Sequence, residues 1–257
     1  MSARVIDLSF LTTSQGVIIQ GDAAGDQAGY SVSNAGDVNG DGLDDVVVGA
    51  RYNDENGTFS GAAYIVYGRS TPVSTIAAGS LTASEGFIVY GGATQDYAGL
   101  AIAIVGDMNG DGLSEVLVTA HGQDDSAVGA GAAYVIYGST TGPGTVNLDD
   151  LSPAVGFAMN GEYGGDNFGI AAAAAGDVNG DGLADIMIGA NLNDDIAASS
   201  GKAYIVYGRG PSSPVDRSGS ADPNTLLGSP FGDILNGLGG EDDLQGGGRG
   251  RHARWWG

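Results

Sequence analysis

The stretch Ala35–Ala50, AGDVNGDGLDDVVVGA, places oxygen-bearing side chains at alternate positions of a glycine-rich loop and then runs directly into an apolar segment. Alternating hard oxygen donors, with glycines that permit a tight wrap, suit a Ca²⁺ ion with about six to eight ligands. Counted from the first aspartate, the donors at positions 1, 3, 5, 7 and 9 are Asp37, Asn39, Asp41, the backbone carbonyl of Leu43, and Asp45. The stretch therefore predicts a calcium loop.

The residues after the loop decide its architecture. An EF-hand loop needs an acidic ligand at position 12 and a helix behind it, whereas position 12 here is Val48 and the following run is rich in valine. A metal-free hairpin is the alternative, because Asn-Gly and Asp-Gly pairs favour tight turns by themselves. Clustered acids without a cation would be destabilising, and Mg²⁺ prefers octahedral sites that retain water. The sequence thus favours a calcium-binding β-hairpin, at residues 37–45.

The loop recurs twice, each time 70 residues further along, at 107–115 and 177–185. The equivalent ligands are Asp107, Asn109, Asp111, Leu113 and Glu115, then Asp177, Asn179, Asp181, Leu183 and Asp185. Each unit also contains four short runs rich in Val, Ile, Tyr and Ala, which predict strands. Several runs are apolar at every position, as in strands buried on both faces.

Four-stranded units at this spacing predict an all-β fold of propeller blades. Three units cannot close a ring of about four to eight blades. We therefore expect an incomplete propeller or one that self-associates, and residues 16–21 could supply the outer strand that the third unit lacks.

Composition limits the partners and the chemistry. The 31 acidic and nine basic residues give a net charge of −22, so nucleic acids and anionic membranes would be repelled. The chain has no cysteine, no apolar run long enough to span a membrane and no N-terminal secretory signal pattern. Its two histidines lie outside any triad or nucleophile-elbow pattern. We expect no enzyme activity, and the sequence offers no catalytic or cofactor-binding residue.

The combined motif carries a family resemblance. The string AGYSVSNAGDVNGDGLDDVVVGAR, with its counterparts across residues 16–208, resembles the FG-GAP repeat of integrin α-subunit propellers and their bacterial relatives. That resemblance implies Ca²⁺ in the hairpin between the first two strands of a blade, and a role in adhesion or ligand binding. The Phe-Gly pair survives only at residues 168–169, and Glu115 replaces the usual Asp. The second site is therefore expected to bind more weakly.

A different pattern follows residue 208. Residues 209–218 have the composition of a linker, and residues 219–248 repeat every nine residues with a glycine start. These nonads resemble hemolysin-type RTX calcium repeats, and Asp233 and Asp242 would be their ligands; a disordered tail is the alternative. Residues 249–257, which contain three arginines and two tryptophans, break the pattern and fit a frameshifted repeat. Such repeats imply type I secretion with the C-terminal signal missing.

These features together predict that residues 1–208 form an extracellular or cell-surface Ca²⁺-binding propeller module for adhesion or recognition. The expected partners are calcium, a protein or carbohydrate ligand, and a second copy of the chain. Two alternatives stay open: an accessory propeller of a secreted phospholipase-type hydrolase, and a structural spacer.

Overall fold

The computed structural model describes residues 6–33 and 36–210 and, beyond them, the backbone of short strands between 216 and 254. Three-residue 3₁₀ turns lie at Leu8–Phe10, Ala78–Ser80 and Leu148–Asp150. The strands before residue 210 are β1 Ile18–Gln20, β2 Ser31–Ser33, β3 Val46–Ala50, β4 Ala62–Val66, β5 Thr75–Ala77, β6 Gly86–Tyr90, β7 Ile102–Ile104, β8 Val116–Ala120, β9 Ala132–Ile136, β10 Val146–Asn147, β11 Gly156–Asn160, β12 Phe168–Gly176, β13 Asp185–Ala190 and β14 Lys202–Val206. No helix in the described part of the chain has the length and hydrophobicity that crossing a bilayer requires.

Three antiparallel sheets form the main body, one for each 70-residue unit. The first has the order β10-β6-β4-β3-β2, in which the two-residue β10 joins β6 in parallel, and the second has the order β11-β9-β8-β7. The third contains β12, β13 and β14. In the first two sheets the strand beyond the hairpin pair, β6 or β11, follows a connection of about twenty residues. The predicted all-β class is confirmed.

The sheets bury their faces against one another. One cluster joins Val47, Ala63 and Ile65 of the first sheet to Val116, Val118 and Ile136 of the second. Another joins Leu117 and Val135 of the second sheet to Ile186 and Ile188 of the third. Each fully buried aliphatic side chain contributes about 1.5–3 kcal/mol. Strands β4, β8 and β9 are buried along their whole length. Their sequences are therefore continuous apolar runs, without an alternation of apolar and polar residues.

The third sheet ends the array with an open face. Met187 and Ile205 are 43% and 48% exposed, whereas Val47 and Ile65, at the same positions of the first unit, are completely buried. This sheet has no outer strand among the described residues.

The N-terminal strand does not take the place that the sequence suggested. β1 pairs in parallel with β5, Ile18 lying opposite Thr75, instead of joining the third sheet. Ile19 packs against the face of the first sheet that contains Tyr64 and Ala50. The N-terminal segment therefore covers the other end of the array.

Short strands also occur in the tail. They are β15 Asp216–Ser218, β16 Thr225–Leu227, β17 Ile234–Asn236, β18 Asp243–Gln245 and β19 His252–Arg254. β15, β17 and β19 pair in parallel, as do β16 and β18, and every pair joins residues 18 positions apart. β15 falls within the segment predicted to be a linker. The predicted ligands Asp233 and Asp242 lie outside the described residues.

Candidate metal sites

Each acidic loop connects the first and second strands of its sheet: β2 to β3, β7 to β8, and β12 to β13. In the first loop, Asp37 Oδ1 accepts a hydrogen bond from Gly40 N at 2.6 Å, and its Oδ2 accepts one from Gly42 N at 2.8 Å. Both glycines have positive φ, 79° and 81°, which a glycine adopts without strain. Asp107 and Asp177 make the same bonds in their own loops. The first ligand therefore shapes the turn around itself.

The next two ligand positions tighten the same turn. Asn39 Oδ1 accepts from Asp41 N at 2.9 Å, and Asp41 Oδ1 accepts from Leu43 N at 2.8 Å. The second and third loops repeat both bonds. Successive side chains that bond the backbone two residues further on hold each loop in a compact coil.

The backbone carbonyl predicted as a ligand at position 7 is free in every loop. Within the described residues, no hydrogen bond reaches the carbonyl oxygen of Leu43, Leu113 or Leu183. Unpaired carbonyl oxygens beside carboxylates suit a hard cation.

The acid at position 9 is buried and holds the loop to the sheet. Asp45 is inaccessible to solvent; its Oδ2 accepts from Val38 N and its Oδ1 from Gly68 N, both at 2.8 Å. Asp185 does the same with Val178 and Gly208. The position-9 acid thus joins the acidic loop to the chain that leaves the third strand of the unit.

In the second loop the acid at position 9 is the longer Glu115. Its Oε2 accepts from Met108 N at 2.6 Å, and its Oε1 from Asn109 Nδ2 at 3.1 Å. Asp107, Asp111 and Glu115 each place a carboxylate oxygen within 4.8 Å of the others, the one such group of three acids in the described part of the chain. The extra methylene thus brings the carboxylate towards the other ligands.

Burial without a counter-charge perturbs these acids. Burial raises the pKa of Asp45 to about 6, and the nearby Asp37 and Asp41 charges add to the shift. Burial likewise raises the pKa of Glu115 to about 9, with smaller contributions from Asp111 and Asp107. No ion pair within residues 6–33 and 36–210 involves any of these acids. A cation bound in the loop would supply the missing positive charge.

The donor set fits calcium in particular. Carboxylate, amide and backbone oxygens are the ligands of a hard cation, and none of the predicted ligand positions carries sulfur or imidazole. The one sulfur in the described loops belongs to Met108, which packs in the hydrophobic core. The predicted residues of each loop are thus brought together, and their ligand roles stay predictions.

The relative strength of the three sites is testable by single substitutions. The sequence predicts that the second site is the weakest, whereas the converging group at Glu115 favours it as the strongest. We expect the geometry to prevail, so that Asp111→Ala lowers Ca²⁺ affinity more than Asp41→Ala or Asp181→Ala. Calorimetric titration of the three variants measures this, and the smallest loss for Asp111→Ala would restore the order predicted from the sequence.

The fold and its loops define a class of protein: repeated antiparallel β-sheets stacked face to face, each with an acidic loop in its first hairpin. The family model for the FG-GAP repeat matches residues 28–66, 98–136 and 168–206, which run from the first to the third strand of each unit. The chain therefore carries three FG-GAP repeats, as the sequence predicted.

Curated relatives over this region are integrin α subunits. Integrin alpha-6 of Gallus gallus is 30% identical over 190 residues, which are 73% of this chain and 16% of the relative. Integrin alpha-PS2 of Drosophila melanogaster is 29% identical over 188 residues, 69% of this chain and 12% of the relative. Integrin alpha pat-2 of Caenorhabditis briggsae is 33% identical over 124 residues, 46% of this chain and 10% of the relative. The repeats are integrin α-like, and the chain spans less than a fifth of these relatives.

The structure also reveals buried acids that the sequence analysis missed. Asp26, Asp96 and Asp166 lie before the first strand of each unit and are only 3–4% exposed. Their 70-residue spacing is visible in the sequence, but single acids form a weaker pattern than the repeated acidic loops. They lie at the edge of the sheets opposite the loops.

Proposed function

We propose that residues 1–208 form a non-enzymatic, extracellular Ca²⁺-binding module for adhesion or surface recognition, in which calcium is structural. The observation that carries the proposal is the repeated loop, in which a buried acid, two further carboxylates and a free backbone carbonyl gather without a cationic partner. The FG-GAP match and the integrin α relatives support the recognition role.

Calcium would act on recognition indirectly. The acid at position 9 bonds the backbone on both sides of the hairpin, so a cation in the loop would fix the start of β3 relative to the end of β4. The loops at the opposite edge of the sheet connect these same strands. Ordering the strands would therefore present the opposite loops as a fixed surface.

A binding assay in the presence and absence of calcium tests the proposal. The full chain is applied to arrays of immobilised glycans and extracellular-matrix proteins in about 1 mM Ca²⁺, the upper range for extracellular modules, and again in chelator. Binding to a defined component that disappears in chelator and in the combined variant Asp41→Ala, Asp111→Ala, Asp181→Ala is expected. Binding that is equal in calcium and chelator, or absent from both arrays, would contradict the proposal.

We also propose that the tail is an RTX-like roll and that export follows type I secretion. The parallel strand pairs 18 residues apart support this, since 18 is two nonads and such a roll pairs every second strand. A coding sequence that continues in a shifted frame with the nine-residue period after residue 248 is the expected finding; an early stop codon would argue against it.

Self-association is proposed for the open face of the third sheet. Met187 and Ile205 on this face are equivalent to Leu117 and Val135 of the second sheet, which are buried at the interface with the third sheet. A second copy presenting the same face would cover both. We expect Ile205→Glu to shift a dimer towards monomer in sedimentation velocity, while Ile196→Glu, at an exposed loop position, leaves it unchanged. A wild-type protein that stays monomeric at every concentration would contradict this.

A further inference from the structure

The buried aspartates opposite the calcium loops have well-defined partners in two of the three units. Asn53 Nδ2 donates to Asp26 Oδ2 at 2.8 Å, and Asn193 Nδ2 donates to Asp166 Oδ2 at 2.6 Å. Each asparagine lies in the loop between the second and third strands, so the pair fastens two loops at this edge. The pairing satisfies polar groups that would otherwise be buried at a cost.

The acids around these pairs are also compensated in the first and third units. In the first, the Tyr64 hydroxyl donates to Asp22 Oδ1 at 2.9 Å. In the third, Lys202 Nζ lies 2.7 Å from Glu162 Oε2 and also pairs with Asp195. The lysine stands where the other units have Ala62 and Ala132, so a cationic group sits at this edge of the third unit.

The second unit lacks these compensations. Gln123 replaces the asparagine; it is 2% exposed, and its buried Oε1 has no hydrogen-bond partner. Within the described residues no hydrogen bond joins Gln123 to Asp96, and none reaches the Tyr134 hydroxyl. A buried amide oxygen without a hydrogen-bond partner destabilises the folded state.

The backbone of Gln123 has the same bonds as that of Asn53. Gln123 N donates to Ala120 O at 3.1 Å and its carbonyl accepts from Gly131 N at 3.0 Å, as Asn53 does with Ala50 and Gly61 at 3.0 and 2.9 Å. Asn53 Nδ2 lies 2.8 Å from Asp26 and 3.4 Å from the Tyr64 hydroxyl. Gln123 occupies the equivalent backbone position, so a side chain directed like that of Asn53 would extend between Asp96 and Tyr134.

A further carboxylate is brought to the same place from a different part of the chain. The first unit has Asp22 and Gly79, whereas the equivalent pair of the second unit is Gly92 and Asp149. The Asp149 carboxylate fills the space that a side chain on Gly92 would take, as Asp22 fills that beside Gly79. Both units therefore have a carboxylate at this place in the fold, although it comes from a different position in the sequence.

These acids repel one another and have no described counter-ion. Burial raises the pKa of Asp96 to about 6, and the charges of Asp149 and Asp125 add to the shift. No ion pair in the described part of the chain involves any of the three. Their oxygens are spread more widely than those of the converging group at Glu115, so one ion bound among them would draw the carboxylates together.

We propose that the second unit binds a further Ca²⁺ at this edge, through the carboxylates of Asp96, Asp125 and Asp149, the amide oxygen of Gln123 and the hydroxyl of Tyr134. Carboxylate and amide carbonyl oxygens are common ligands of Ca²⁺. The ion takes the role that Lys202 has in the third unit and satisfies the unpartnered Gln123 oxygen. β8 separates this site from the calcium loop of the same unit.

Counting bound calcium in matched variants tests the site. Equilibrium dialysis with Ca²⁺ alone, at about 1 mM free ion, is performed on wild type, Gln123→Asn, Asp149→Asn and Asp150→Asn. We expect Gln123→Asn and Asp149→Asn to bind one ion fewer per chain. Gln123→Asn installs the residue that both other units use, so it should stay folded by circular dichroism. Asp150→Asn removes the same charge one residue away and should bind the wild-type number.

Equal numbers of ions in all four proteins would overturn the proposal, as would a loss in Asp149→Asn that Gln123→Asn does not share. The loops are tested separately by Asp41→Ala and Asp181→Ala. If those variants bind the wild-type number while Asp149→Asn and Gln123→Asn each lose one ion, the loop sites fail and the site at Gln123 stands.

Discussion

Ca²⁺ at about 5 mM is expected to raise the melting temperature of the chelator-treated protein by about 6–24 °C. With dissociation constants of about 10⁻⁴ to 10⁻³ M, binding to the folded state alone stabilises it by about 1–2 kcal/mol per loop. Three loops give about 3–6 kcal/mol, and each kcal/mol shifts the melting temperature of a chain of this size by about 2–4 °C. Differential scanning calorimetry in calcium and in chelator measures the shift.

The control is the combined variant Asp41→Asn, Asp111→Asn, Asp181→Asn, which removes one carboxylate from each loop and keeps its shape. Its melting temperature should respond to calcium much less than that of wild type. Mg²⁺ at the same concentration should also have a smaller effect, because it keeps its waters in octahedral geometry. Identical melting of the wild-type protein in calcium and chelator would show that the loops are stable without metal.

Raising the pH is expected to destabilise the calcium-free protein between about pH 5 and pH 9 and to have much less effect with calcium present. The pKa of Glu115 rises to about 9 from an ordinary value of 4.5, so the folded state holds this proton more tightly than the unfolded state does. The resulting stabilisation is complete below the unfolded pKa and is lost as the pH rises through the folded pKa. Bound calcium would favour the ionised carboxylate and remove this dependence.

Chemical unfolding in chelator at several pH values measures this effect. Glu115→Gln removes the titrating group and should flatten much of the curve. Glu85→Gln is a suitable control, since this exposed carboxyl has a lowered pKa from its Thr82 hydrogen bonds and from Arg69. A wild-type stability that stays constant or increases with pH in chelator would refute the assignment of a protonated Glu115.

The hairpin loops and most strands could be predicted because their signals are local and occur three times. Runs such as Val46–Ala50 are apolar on both faces, and the structure buries them between neighbouring sheets. The place of residues 16–21 could not be predicted in this way. A short apolar run shows that a segment forms a strand but does not identify its partner, and β1 pairs with β5 rather than with the third sheet.

The second acidic loop illustrates a different limit. Glu115 was expected to fit its loop less well because it is longer than aspartate, but side-chain length alone does not say in which direction the carboxylate extends. The structure directs it towards Asp107 and Asp111. Likewise, the acid occupies the first position of its pair in the first unit (Asp22, with Gly79) and the second position in the second unit (Asp149, with Gly92). The sequence does not show that these two acids fill equivalent places, because the members of each pair become neighbours only in three dimensions.

In the first two units, the outer strand of the sheet comes from the following sequence repeat. This arrangement determines how such a chain can lengthen or shorten. β6 completes the sheet of the first unit although its sequence motif repeats together with β11. Duplicating or deleting one 70-residue segment, wherever the cut is made within the period, would therefore regenerate the same strand pairings and the same contacts between sheets. Gene duplication could thus change the number of units in a single step without requiring any new interface, whereas an insertion or deletion of another length would leave one sheet without its outer strand.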